Sequence, residues 1–540
     1  SLTDPIILPK ELRPIGGVGN YVANPHRHVV SAGPDLVLAP LVPTLLTLLG
    51  QHPANREQSS VANGSPIVDH KRFGAASQVG EHTMRASIIA AVILLAVSAA
   101  NAQQPLGNAH DPGIRNDGLA GAGGHLPNLP GPLKQSFLSG QAQFEQVEEE
   151  TEDGLGPRMN LNSCGGCHVN PAIGGTSPAS KNPQVSFYKQ SLNHTTNSLP
   201  SFITPNGPVR EARFPSDGGV HDVFTIAGMT GAEACHMAQP NFDQARKDNN
   251  LIFRIPTPVF GAGLIEQITD STILANLTRP DTQNQKLAMG IKGRPNIVLV
   301  GNTVSGEPNL NGNDGTVSRF GWKAQNKSLL LFAGEAYNVE MGVSNELFPT
   351  ERNETPGCQF KTTPNNTTNP QLTGLAILSD IEQFAAFMRL LAPPVPSTTV
   401  PGGKTSITNG AAVFSQTGCG LCHTPSLPTT SNSTIAALGG QVANLFSDLA
   451  LHHMGPGLAD GISQGQAGPD EFRTAPLWGL GKRAFFLHDG RTSDLVVAIQ
   501  QHRSGPRGAT PASEANAVIK RFDMLPDTSE QDLLNFLRSL

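Results

Sequence analysis

Apolar residues fall at helical spacing in two well-separated stretches. Ile381, Phe384, Phe387, Met388 and Leu391 recur every three or four positions behind Ser379 and Glu382, the pattern of a capping box opening an amphipathic helix. Leu533, Leu534, Phe536, Leu537 and Leu540 repeat the arrangement behind Thr528 and Gln531, which are expected to take the same capping roles. Asp494 to Gln501 reads as a further helix. Pro393-Pro394-Val395-Pro396 stops the first amphipathic helix and opens a Pro/Gly/Ser linker to about Lys404. Near the start, Met84-Arg85 precedes the apolar run Ile88 to Val97 and the small residues Ser98 to Ala102. A basic start, a short apolar stretch and an A-x-A site form a secretory signal, and the run is shorter than the about 20 residues of a membrane span. Val37 to Leu49 is broken by Pro40 and Pro43 and is not read as a span. The expectation is an unordered upstream segment (1–83), a signal peptide (84–102) and an exported, periplasmic chain starting near Gln103 with no membrane span.

Six cysteines sharpen this picture. Four form two copies of one motif, Cys164-Gly-Gly-Cys167-His168 and Cys419-Gly-Leu-Cys422-His423. C-x-x-C-H is the attachment signature of c-type haem: two thiols add to the two vinyl groups and the adjacent imidazole meets the iron. Four thiolates on one zinc ion, or a thioredoxin-like pair, would leave both trailing histidines unexplained. The expected cofactors are two covalently bound haem c groups, with His168 and His423 as iron ligands. Cys235 and Cys358 remain, and in an oxidising compartment a disulfide between them is the default; haem ligation by Cys235 is the alternative.

The chain repeats around these motifs. Gly140-x-x-x-Phe144 precedes the first and Gly410-x-x-x-Phe414 the second. Arg254-Ile-Pro-Thr-Pro-Val-Phe-Gly-x-Gly follows the first, and Arg473-Thr-Ala-Pro-Leu-Trp-Gly-x-Gly the second. The fold class expected is mainly α, with two cytochrome-c-like haem domains, 130–393 with long loops and insertions and 404–540. Composition agrees: 57 Gly and 44 Pro imply long loops, and aromatic residues make up only 5%, so a porphyrin filling each core would offset a weak apolar interior. The net charge is -6, with no basic tract, which argues against nucleic acid as a partner.

Four stretches, Arg319 to Ala324, Leu449 to Leu458, Arg473 to Leu480 and Phe486 to Arg491, resemble the di-haem oxidoreductase family of peroxidase-like proteins, some labelled thiol oxidoreductases. More distantly the layout is similar to di-haem cytochrome c peroxidases and to the di-haem enzyme that matures tryptophan tryptophylquinone. The resemblance covers roughly 130–540. It implies one haem that stores and relays electrons and another that meets peroxide. Asn338-Val-Glu340-Met-Gly342 aligns Glu340 with the relatives' distal acid, and Phe320-Gly321-Trp322 places Trp322 near the tryptophan between their haems. Their second haem takes its other ligand fourteen residues after the histidine matched by His488, which is His502 here; Met454 is the rival. No histidine matches the removable distal ligand of the first haem, for which His194, His221 and His236 are candidates. The distal glutamine also lacks a counterpart, since the equivalent stretch is Leu329 to Phe332. An Asn309 to Asp314 loop is a candidate calcium site, although it departs from the EF-hand pattern. The function implied is an exported oxidoreductase passing electrons from the C-terminal haem to a peroxide-reactive N-terminal one, fed by a small cytochrome or cupredoxin. The alternative is a non-catalytic electron carrier or the redox subunit of a larger complex.

Overall fold

Pro132 lies in the first turn of helix Gly131–Glu145, where its missing N–H removes no intrahelical bond. That opening helix buries Phe137, Gly140 and Phe144 against the helix Asp380–Leu390, which starts with the capping box of Ser379 and Glu382. The second half repeats the pair with Gly403–Thr417 and Asp527–Ser539. The computed structural model describes residues 108–192, 197–218, 222–279, 281, 283–297, 315–350, 355–370 and 376–540. The upstream segment, the signal peptide, His194, His221 and the Asn309 to Asp314 loop lie outside the described residues. The chain divides into two contact units, and all the described residues fall in one of them.

The glycines of the sequence repeat are the points where each closing helix is gripped. A Cβ on Gly140 would lie 2.4 Å from the Gln383 carbonyl oxygen, and one on Gly410 would lie 2.0 Å from that of Asp532. A second grip comes from the other repeat. A Cβ on Gly263 would lie 1.9 Å from the Arg389 carbonyl oxygen, and one on Gly481 2.0 Å from that of Arg538. These distances leave room for no side chain. Phe144 and Phe387 (centroids 5.0 Å apart) pack beside the first crossing, and Phe414 and Phe536 (5.5 Å) beside the second.

Two expectations are corrected. The fold is mixed helix with little sheet rather than clearly mainly α, because the Gly- and Pro-rich stretches run as long loops. Among the described residues, sheet is confined to two-stranded pairs. The second closing helix has Pro526 as its N-cap and no side-chain cap. Gln531 instead accepts from the His110 N–H (3.0 Å) and donates to the His110 carbonyl (3.1 Å). The segment from Asn108 to Leu126 runs along both halves, because its polar groups find partners on each. Asp111 pairs with Arg538 (2.6 Å), while the Leu126 N–H reaches the Leu390 carbonyl (2.8 Å).

The halves meet at buried charge. Asp460 accepts from Arg254 (2.5 Å) and Lys323 (3.1 Å), all three side chains at 4% exposure or less. Cys235 and Cys358 form the disulfide expected from the sequence.

Gly410→Ala forces a methyl against the Asp532 carbonyl and is expected to destabilise the protein by about 1–3 kcal/mol, the usual cost of overpacking. Gly131→Ala meets no neighbour and is expected to stay within about 0.5 kcal/mol. Urea unfolding of the two variants checks the contrast.

Candidate haem sites

The first motif forms a single helical turn, Cys164–Cys167, with His168 as its C-cap. Gly165 lets the turn pack on the end of the opening helix, since a Cβ there would sit 3.1 Å from the Glu145 Cα. The second forms a tight turn, Cys419–Leu421, after Gly418 at φ 100°. His168 Nδ1 donates to the Gly175 carbonyl (2.9 Å), and His423 Nδ1 donates to the Phe446 carbonyl (3.0 Å). A carbonyl only accepts, so each ring keeps its proton on Nδ1 and a free lone pair on Nε2. Burial pushes both pKa values down to about 4, with the backbone bond opposing it, so both imidazoles are neutral near pH 7.

The four motif thiols are free. Burial pushes the Cys164 and Cys167 thiols up, with Glu340 adding to it, and pushes Cys419 up to about 12. The two pairs line different cavities, which removes the reading of four thiolates on one zinc ion.

The first cavity holds Cys164, Cys167 and His168 together with Phe144, Trp322, Gln325, Glu340, Met341 and Met388. Glu340 lies near the end of helix Leu329–Met341. Its carboxyl is pushed up to about 8, first by burial and then by Glu211, with Arg213 opposing. Arg210, Arg213 and Arg254 also line this cavity, and the Nε atoms of Arg210 and Arg254 are buried without a partner. His236 is exposed and is not among the cavity's residues.

The second cavity is mostly apolar and holds Cys419, Cys422 and His423 with His502, Met454 and His488. His502 Nδ1 donates to the Ala498 carbonyl (2.9 Å), which frees its Nε2 just as in the two motif histidines. The two ligands considered from the sequence, His502 and Met454, therefore face the same space. Beside it, Cys422, Asp448 and His452 bring their ligand atoms within 4.8 Å of one another. His452 is already held there by Asp448 (3.0 Å) and Glu514 (2.8 Å).

A narrow cavity lies between the two, lined by Gly321, Trp322, Phe332, Arg473, Trp478 and Arg483 among others. Trp322 belongs to the lining of all three, and its Nε1 donates to the Ile255 carbonyl (3.0 Å). Gln325 and the arginines escaped the sequence reading because no local motif marks them. The Arg254 and Arg473 repeats were visible, but as landmarks of duplication rather than as cavity-facing charges.

A cavity lined by a thiol pair and a pinned neutral imidazole suits a porphyrin, and at the first site the buried, unpartnered Nε groups of Arg210 and Arg254 suit its acid edge. The residues present fit a haem at each motif. A family profile described as "Di-haem oxidoreductase, putative peroxidase" matches residues 226–540, and the chain belongs to that family. The match begins after the first C-x-x-C-H. No curated protein matches the chain. Among solved structures, hydrazine synthase of Kuenenia stuttgartiensis, pressurized with xenon, is similar over 53% of this chain and 88% of its own, at 13% identity and a TM-score of 0.24. A likeness at that level carries no argument about function.

A titrating group lies behind the first cavity. Tyr337, in its lining, donates to Asp380 (3.1 Å). Nearby Glu148 is 2% exposed and is pushed up to about 8 from an ordinary 4.5, first by burial and then by Asp153 and Asp380. The folded state therefore holds the proton that the unfolded chain releases. That stability is whole below about pH 4.5 and is lost as the pH rises to about 8. Glu148→Gln is expected to gain on the wild type over this window, by up to a few kcal/mol at about 1.4 kcal/mol per unit, and to match it at the acid end. Urea unfolding across the range measures the difference.

Proposed function

We propose that the protein is an exported di-haem c-type cytochrome that reduces peroxide. The observation that carries the reading is the pair of pinned imidazoles, each beside two free thiols at the edge of its own cavity, with Trp322 in both linings. Two haems, joined to Cys164/Cys167 and Cys419/Cys422 with His168 and His423 on iron, would supply an electron store at the second site and a peroxide-reactive iron at the first. Around them the chain's own residues have separable tasks. Glu340, protonated near neutral pH, moves a proton between the two peroxide oxygens, which is general acid–base work. Trp322 places an indole on the path between the cavities. With a haem held at the C-terminal motif, His502 Nε2 would be available to bind its iron, and a His ligand there would lower the potential relative to the thioether of Met454. A small cytochrome or cupredoxin is the donor.

A second reading, an electron carrier without a substrate site, is favoured by Met341 and Met388. Both line the first cavity, and either thioether would be available to bind a haem iron held there.

Half-reduced wild-type protein is expected to consume hydrogen peroxide, and Glu340→Gln to slow this by about 10²–10⁴-fold with both haems still attached. Stopped-flow spectra report it. A half-reduced wild type inert to peroxide would establish the carrier instead. EPR separates the ligands of the second haem: His502→Ala is expected to change its spin state and Met454→Ala to leave it alone.

A further inference from the structure

Arg473, which is buried, and Arg483, which is half-buried, stand out among the arginines of the second half. Arg473 Nε donates to the Gly321 carbonyl (2.9 Å), and Arg483 donates to the Pro476 carbonyl (3.0 Å). Among the described residues neither has a carboxylate at ion-pair distance. The other buried arginines of the repeats do: Arg254, the repeat counterpart of Arg473, has Asp460 (2.5 Å), Arg389 has Glu266 (2.6 Å) and Arg538 has Asp111 (2.6 Å). Burial pushes both pKa values down to about 10, and Arg483 adds to the fall at Arg473. A guanidinium drawn out of water into a cavity wall is costly unless an anion answers it.

Their position says which anion. Both line the second cavity together with Cys419 and His423, and both line the narrow cavity that they share with Trp322. An acid group reaching them lies at the end of the second cavity that faces the first. The guanidinium fork matches a carboxylate with two parallel bonds.

We propose that Arg473 and Arg483 are a dicationic anchor for the carboxylate groups of the porphyrin in the second cavity, turning that edge of the ring toward Trp322. The inference rests on haem being bound at Cys419, Cys422 and His423, and it adds the orientation of the ring and a control on its potential. Reduction adds an electron to the haem, and two fixed cations beside it favour the reduced form. The arginines act as positioning residues, since they touch the carboxylate edge and not the iron.

The test uses the full holoprotein. Spectroelectrochemical titration of Arg483→Met is expected to lower the midpoint of the C-terminal haem by about tenfold in its reduction equilibrium, about 59 mV for one electron, with a smaller shift at the N-terminal haem. Arg483→Lys, which keeps the charge, is expected to restore most of the midpoint but not the propionate bending band in resonance Raman spectra. Arg473→Met gives the same readings should Arg483→Met fold poorly. Unchanged midpoints and an unchanged Raman band in a variant whose mass includes both haems would overturn this inference alone. A wild-type mass lacking the C-terminal haem would overturn it together with the haem reading.

Discussion

Everything in this protein is arranged around two imidazoles that are held from behind. His168 and His423 each give their Nδ1 proton to a backbone carbonyl, and each lines a cavity of its own. The first cavity is lined by charged and polar side chains as well as apolar ones, the second mostly by apolar ones, and each is bordered by a free thiol pair. The fold supplies rigid walls for them. In each half two helices cross at a glycine so closely that a carbonyl of one sits where a Cβ on the other would have to go, and Phe144 and Phe414 beside the crossings line the two cavities.

The two sites are mechanically one object. Asp460 ties Arg254 and Lys323 together, and the 108–126 segment bonds to both closing helices. The strand Glu471–Arg473 ends at the backbone of Trp322, whose carbonyl accepts from the Arg473 N–H (2.9 Å). A contact that fixes the indole therefore also fixes the arginines of the neighbouring cavity. Breaking this interface leaves buried charges unpaired, which costs far more than the pairs contribute when intact. Buried ion pairs and backbone bonds thus tie the walls of the two cavities to each other.

Much of this was legible in the sequence. The C-x-x-C-H motifs and the helix with its Ser379 capping box are local patterns, and local patterns survive translation into structure. The repeated glycines were visible as a repeat, but their reason, a helix crossing at carbonyl contact, joins residues far apart in the chain. The same limit hid Arg210, Gln325, Arg473 and Arg483, whose meaning depends on which cavity they face. Thr528 and Gln531 look like a cap, yet Gln531 is taken by His110, a partner from the other end of the described chain. Loop-rich composition was readable, but the balance of helix against loop was not, because Gly and Pro weaken a helix only where tertiary packing fails to override them.

A haem joined to each motif through its two thiols adds a fixed mass to the chain. Intact mass spectrometry of protein made in a host with a working cytochrome maturation system measures it. The expected mass is that of the processed chain plus two haems, falling by one haem when both Cys419 and Cys422 are replaced by alanine. A chain with no added mass, and four thiols open to alkylation after unfolding, would contradict it.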